Sequence, residues 1–239
     1  MAFPVVSTKG TTHVDSGVET SHVIDLPDGI VSGDLLMVFF SCDGTGDHTW
    51  PTSPAWTRLA KINNGTATAS ISFGYRIANG SDGTSMTIVS DSEKAVAFSW
   101  RITDWHGTTI PEYATASGDT TTPDPPNLTP SWGADDTLWI SWYGINGNGA
   151  GTTYPTNYAD NREYAETSAG GSVSGAMCSR NLNATSDNPS TFQSSGASGW
   201  GAAIVAIRPA APAVGQPAMI RTQGVPTAPG RGDRPGKWN

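Results

Sequence analysis

Two cysteines, four histidines and 21 acidic residues are the chain's stock of nucleophiles, metal ligands and proton carriers. Spacing decides what chemistry they could perform. A strained nucleophile elbow is written Gly-x-Ser-x-Gly, a phosphate cradle needs a Gly-rich run closed by Lys-Ser/Thr, and a dinucleotide fold carries its own glycine fingerprint. None of these strings occurs, nor does His-x-x-x-His or Cys-x-x-Cys, the close pairs that set up zinc sites. His13, His22, His48 and His106 are scattered and read as surface or packed histidines. The best metal-like cluster is Asp43-Gly44-Thr45-Gly46-Asp47-His48, which could offer oxygen and nitrogen ligands from one loop. It lacks the fuller acidic spacing of a calcium loop, and Asp-Gly is ordinary tight-turn chemistry, so a turn is the reading. Asp135-Asp136 resembles a carboxylate pair but sits where a turn enters a strand, and solvent exposure alone accounts for it. The sequence therefore predicts no catalytic residue, no cofactor and no metal.

Aromatic rings offer a different chemistry. Trp50, Trp56, Trp132, Trp139, Trp142, Tyr143 and Tyr154 could stack against sugar rings, which raises a carbohydrate- or host-receptor-binding module as the alternative function. The competing use is core and inter-subunit packing, which aromatics also dominate, and this use is favoured. Asn64-Gly65-Thr66 and Asn183-Ala184-Thr185 match glycosylation acceptors, but they mean little without secretion. Arg231-Gly232-Asp233 spells an adhesion tripeptide in a tail where Gly and Arg make it by chance.

The elements that must position these residues are strands. Only 14% of the residues are charged, against a norm of about 25%, so the Glu/Lys-rich faces of surface helices are missing. Gly, Ser, Thr, Asn and Pro fill their place, and these build turns and the outer faces of sheets. Nine Trp, six Tyr and six Phe supply bulky core material, which excludes disorder. Leu35 to Phe40 is a continuous apolar run of strand length. Ile71, Phe73, Tyr75 and Ile77 alternate, as do Val96, Phe98, Trp100 and Ile102, so Lys94 to Ile102 is a strand despite a helix-cap-like Ser90-Asp91-Ser92-Glu93 before it.

Strand order appears twice. Gly33 to Val38 resembles Asp135 to Ile140, Trp50-Pro51-Thr52 resembles Tyr154-Pro155-Thr156, and the strand ending at Ile102 resembles the one ending at Ile207. The three matches share an offset of roughly 102–105 residues, which predicts an internally duplicated strand module. Each half has an apolar face to bury, so the expected fold is all-β: one jelly-roll-like β-sandwich over residues 1–209, with duplicated halves at 20–107 and 125–209. Two small subdomains joined through Thr108 to Thr129 are the runner-up.

After Pro209 the composition changes. Prolines 212, 217, 226, 229 and 235 exclude regular helix and central strand, and Arg221, Arg231, Arg234 and Lys237 outweigh Asp233 in a chain whose net charge is −8. Residues 210–239 read as an extended Pro-rich docking arm. Met219-Ile220-Arg221-Thr222 would add to a partner's sheet edge, Arg221, Arg231, Arg234 and Lys237 would meet acidic groups, and Trp238 would serve as a further apolar anchor. Acidity of the body argues against nucleic acid as a partner, and no run is long or apolar enough to span a bilayer. No signal peptide is visible at the N-terminus, which predicts a soluble protein made in a host cytoplasm. Cys42 and Cys178 do not occupy equivalent repeat positions, so no disulfide is expected.

Pro27-Asp28-Gly29, Gly33-Asp34-Leu35-Leu36, Pro54-Ala55-Trp56-Thr57, Phe73-Gly74-Tyr75-Arg76 and Asn79-Gly80 follow one another in an order that resembles a module of tailed-bacteriophage virion structural proteins. The closing segment Ile204 to Pro209 fits as well, and the likeness covers most of residues 20–209. It implies a non-enzymatic structural component on the head or the neck/tail exterior of a particle. Other virion proteins would be its partners, a homo-oligomer, trimer favoured, its assembly state, and a host surface glycan a further candidate ligand. The resemblance transfers no catalytic residue.

Overall fold

The computed structural model describes residues 2–64, 69–147, 153–167, 172–195 and 199–212. Among them lie eleven strands and no helix. The first sheet takes β1 (Val5–Lys9), β2 (His13–Asp25), β3 (Leu35–Cys42), β4 (Thr57–Asn63), β5 (Ser70–Ile77) and β6 (Ser85–Thr103). The second takes β7 (Glu112–Gly118), β8 (Asp135–Asn146), β9 (Asp160–Glu166), β10 (Val173–Ala184) and β11 (Trp200–Ile207). All pairings between named strands are antiparallel.

The two sheets share one strand order. The first runs β1-β6-β3-β5-β4, with β2 also on β6, and the second runs β7-β11-β8-β10-β9. Register sharpens the match. Leu35 on the central strand stands between Ile77 and Ile102, and Leu138 stands between Asn181 and Ile207. One step along, Arg76 of β5 binds Asp82, and the corresponding Arg180 of β10 binds Asp187. The sandwich is thus as expected, but the chain completes one sheet before it begins the other. A jelly roll exchanges strands between its sheets, so the likeness to one is in the layers and not in the winding. β1 and β7 belong to the sheets although they precede residues 20 and 125, and β7 occupies the stretch that could have been a linker.

Both central strands are buried on both faces, which is why they read as unbroken apolar runs. Leu35, Met37 and Phe39 face Phe73, Phe98, Trp100, Trp142 and Val205 in the core between the sheets. Leu36, Val38 and Phe40 face the other way, into an outer core with Trp50 and Trp56. Tyr143, Tyr158, Phe192 and Trp200 form the matching outer core behind the second sheet. Each such ring or branched side chain contributes roughly 1.5–3 kcal/mol on burial. Between the sheets, Gly175, Gly144 and Gly201 stand in register across β10, β8 and β11. Gly144 and Gly201 cut a notch for Ile71 of the facing sheet: a Cβ on Gly201 would lie 2.8 Å from Ile71 Cγ1, and one on Gly144 would collide with Ile71 and Ser41.

The outer core of the first sheet is covered by the sheet's own ribbon. Asp15 and His22 lie on one strand, seven residues apart, which is about 23 Å in an extended chain. Their side chains nevertheless meet at 2.5 Å. The β2–β6 ribbon therefore bends sharply, where register shifts fall between Asp15 and Ser21. Beyond the bend, Ile24, Met86 and Ile88 lie on Leu36, Val38 and Phe40. Ser99, in the sheet, donates to the Asp25 carbonyl above it at 2.5 Å. Gly10 fits beneath that contact, where a Cβ would strike both Ser99 and Asp25.

Candidate functional site

Three clusters hold titratable groups in contact. The first joins Cys42, at the end of β3, to the loop that follows. Cys42 Sγ lies 3.1 Å from His48 Nε2, the spacing of a thiol nucleophile and its base. The surroundings argue otherwise. Both side chains are buried. Burial pushes the Cys42 thiol up to about 12 and holds His48 down to about 3, so the pair is neutral rather than thiolate and imidazolium. The hydrogen bonds close on themselves: Trp50 Nε1 donates to Ser72 Oγ at 3.3 Å, Ser72 reaches His48 Nδ1 at 2.7 Å, and His48 Nε2 meets Ser70 Oγ at 2.9 Å. This chain pins the loop and Trp50 onto β5, and its role is structural.

The second cluster is acidic. Asp43 accepts from the Lys94 amide at 2.7 Å and bonds Glu93, while Gly44 and Gly46 lie against the Glu93 and Asp91 carboxylates. Burial, the hydrogen bond with Asp43 and the charges of Asp43 and Asp91 raise Glu93 to about 7. Asp47 turns outward to Arg58 at 2.8 Å, and His48 turns inward. The metal-like run Asp43 to His48 therefore does not converge on one point, which agrees with reading it as a turn. Asp135 and Asp136 diverge as well: Asp135 faces Arg208 at 3.6 Å and Asp136 accepts from Asn183 at 2.7 Å.

The third cluster was not legible as a motif. At the ribbon bend, His13 Nε2 and His22 Nδ1 approach the same Asp15 oxygen at 2.7 and 2.5 Å, and His22 Nε2 meets Ser90 Oγ at 2.8 Å. His22 is fully buried, while the side chains of His13 and Asp15 keep 12% and 20% of their exposure, so solvent reaches one side. Burial lowers the His22 pKa, opposed by the hydrogen bond and charge of Asp15. His-x-Asp on one strand face was a readable hint, but the return of His22 depends on the bend.

Among the aromatic candidates, Trp50, Trp56, Trp139, Trp142 and Tyr143 are buried, and Trp132 and Tyr154 are half-buried. Trp132 donates to Thr137 at 3.1 Å, and Tyr154 stacks edgewise on Phe192 under Arg162. A cleft lined by Leu26 to Ile30 and Gly80 to Thr84 holds about 230 Å³, below the roughly 300–1,000 Å³ of small-molecule sites. Cys42 and Cys178 are free and sit in opposite outer cores, with the inter-sheet core between them. The arm residues Met219, Ile220, Arg221, Arg231, Arg234, Lys237 and Trp238 lie outside the described residues. No helix among the described residues is long and apolar enough to cross a membrane. Comparison with protein-family models, curated proteins and solved structures finds no match.

Proposed function

We propose that the chain is a non-enzymatic structural component of a tailed-phage particle, an oligomeric β-sandwich mounted on the head or neck/tail exterior through residues 210–239. The observation that carries this reading is where the large side chains go. Trp50, Trp56, Trp100, Trp139 and Trp142 are all spent on three internal cores. The Cys–His pair is likewise sealed and neutral. Such a body offers shape and sheet edges rather than a reaction centre. Burial of the same rings removes most of the platform that sugar stacking would need, so the glycan-binding reading ranks second.

Mass spectrometry of purified infectious particles tests the reading. The chain should be present at a fixed copy number, hundreds for head decoration and a dozen or fewer for neck or tail. Its absence from such particles overturns the reading. Truncation after Ala210 should leave a folded sandwich that no longer incorporates, whereas normal incorporation would refute the arm's role.

A further inference from the structure

We propose that His13, Asp15 and His22 form a binding site for one divalent transition-metal ion, zinc foremost, which fastens the bend of the β2–β6 ribbon. Their ligand atoms, one from each residue, all lie within 4.8 Å of one another. Two imidazoles and a carboxylate are the donor set that such ions favour, with a fourth position left to water.

Hydrogen-bond bookkeeping supplies an independent argument. Ser90 Oγ has a single proton and donates it to the Asp91 carbonyl at 2.6 Å. Towards His22 it can only accept, so the proton of a neutral His22 ring sits on Nε2. That leaves the Nδ1 lone pair aimed at an Asp15 oxygen, which is itself an acceptor. His13 Nε2 points to the same oxygen. His13 can donate to that oxygen as a neutral ring, but the His22 contact sets one lone pair against another and calls for a cation between them, a proton or a metal ion. Ser90 then acts as the outer partner that fixes the ring's tautomer and direction.

Zinc ligands stand about 3.3 Å apart around a tetrahedral ion with bonds of 2.0–2.1 Å. The two histidine–carboxylate separations of 2.7 and 2.5 Å must therefore widen by less than about 1 Å, and the two ring nitrogens, at most 4.8 Å apart, must close by up to about 1.5 Å as the Asp15 oxygen gives way to the ion. Position gives the ion its purpose. His13 and Asp15 precede the bend and His22 follows it, so one ion would join the two limbs of the folded ribbon. Exposed Glu19, in the bend itself, adds negative charge beside the site.

The test uses the full chain, freed of metal by chelation and titrated with Co²⁺ and then Zn²⁺. The expected result is a four-coordinate Co²⁺ visible spectrum that saturates at one equivalent, is bleached by Zn²⁺, and is accompanied by a rise in Tm. His13→Ala and Asp15→Asn, at positions still partly exposed, should fold by circular dichroism and lose both responses. Ser90→Ala should weaken binding by about 10–100-fold. Silence of the folded wild-type protein at millimolar metal overturns the proposal. So does saturable binding that survives in both His13→Ala and Asp15→Asn, or that disappears in Cys42→Ser.

Discussion

The fate of a reactive side chain here is set by its depth. Cys42 and Cys178 are free, buried and raised in pKa by desolvation. Native protein treated with iodoacetamide at pH 8 should therefore gain no mass, and protein in denaturant should gain two adducts. His48 and Glu93 pull stability in opposite directions with pH. The unfolded chain protonates His48 near 6.5 and the folded one only near 3, so its contribution is complete above about 6.5 and is lost as pH falls. Glu93 is raised from 4.5 to about 7, so the unfolded chain loses that proton first, and stability falls as pH rises through this window. Glu93→Gln should raise the urea midpoint at pH 7 and leave it unchanged at pH 4. His48→Gln, neutral throughout, should flatten the acid limb between 6.5 and 3. At this scale the sequence revealed least. The turn at Asp43-Gly44 was readable from residue type, but His13 and His22 are nine positions apart, and only a bent strand brings them to Asp15.

Strands were legible where their side chains are large. Val96, Phe98, Trp100 and Ile102 announce the inner half of β6, and Leu35 to Phe40 announces a strand covered on both faces. β7 escaped because its packed residues include Ala114 and Ala116, too small to mark a period. The notch in the second sheet escaped because glycines carry no pattern. Two tests belong to these elements. Gly144→Val should destabilise by about 1–3 kcal/mol through overpacking against Ile71, and Ile71→Ala by about 2–5 kcal/mol through the cavity it leaves. Asp187, which accepts from Arg180 and from Tyr158, is nearly buried, as is Asp82 beside Arg76. Asp82→Ala and Asp187→Ala should each cost about 1–3 kcal/mol in chemical denaturation, because a half-buried guanidinium loses its charged hydrogen-bond partner. Similar losses in the two would mark them as counterparts.

Among the described residues each sheet's inner face packs on the other's, so the sandwich should unfold as one cooperative unit. Urea unfolding followed by circular dichroism and by Trp fluorescence should give coincident single transitions. A fragment of residues 1–107 should lack a cooperative transition of its own, and a stable fold for that fragment would contradict the shared core. The division of the chain between the sheets also sets a timetable for synthesis. When Thr103 leaves the ribosome the first sheet is complete in sequence, yet the sheet that covers Phe39, Phe73, Phe98 and Trp100 is complete only when β11 emerges. At about 5–20 residues per second, the roughly 100 residues still to come leave that cover incomplete for about 5–20 s. Slower translation through the second half should therefore lower soluble yield, and a chaperone that shields apolar surface should restore it.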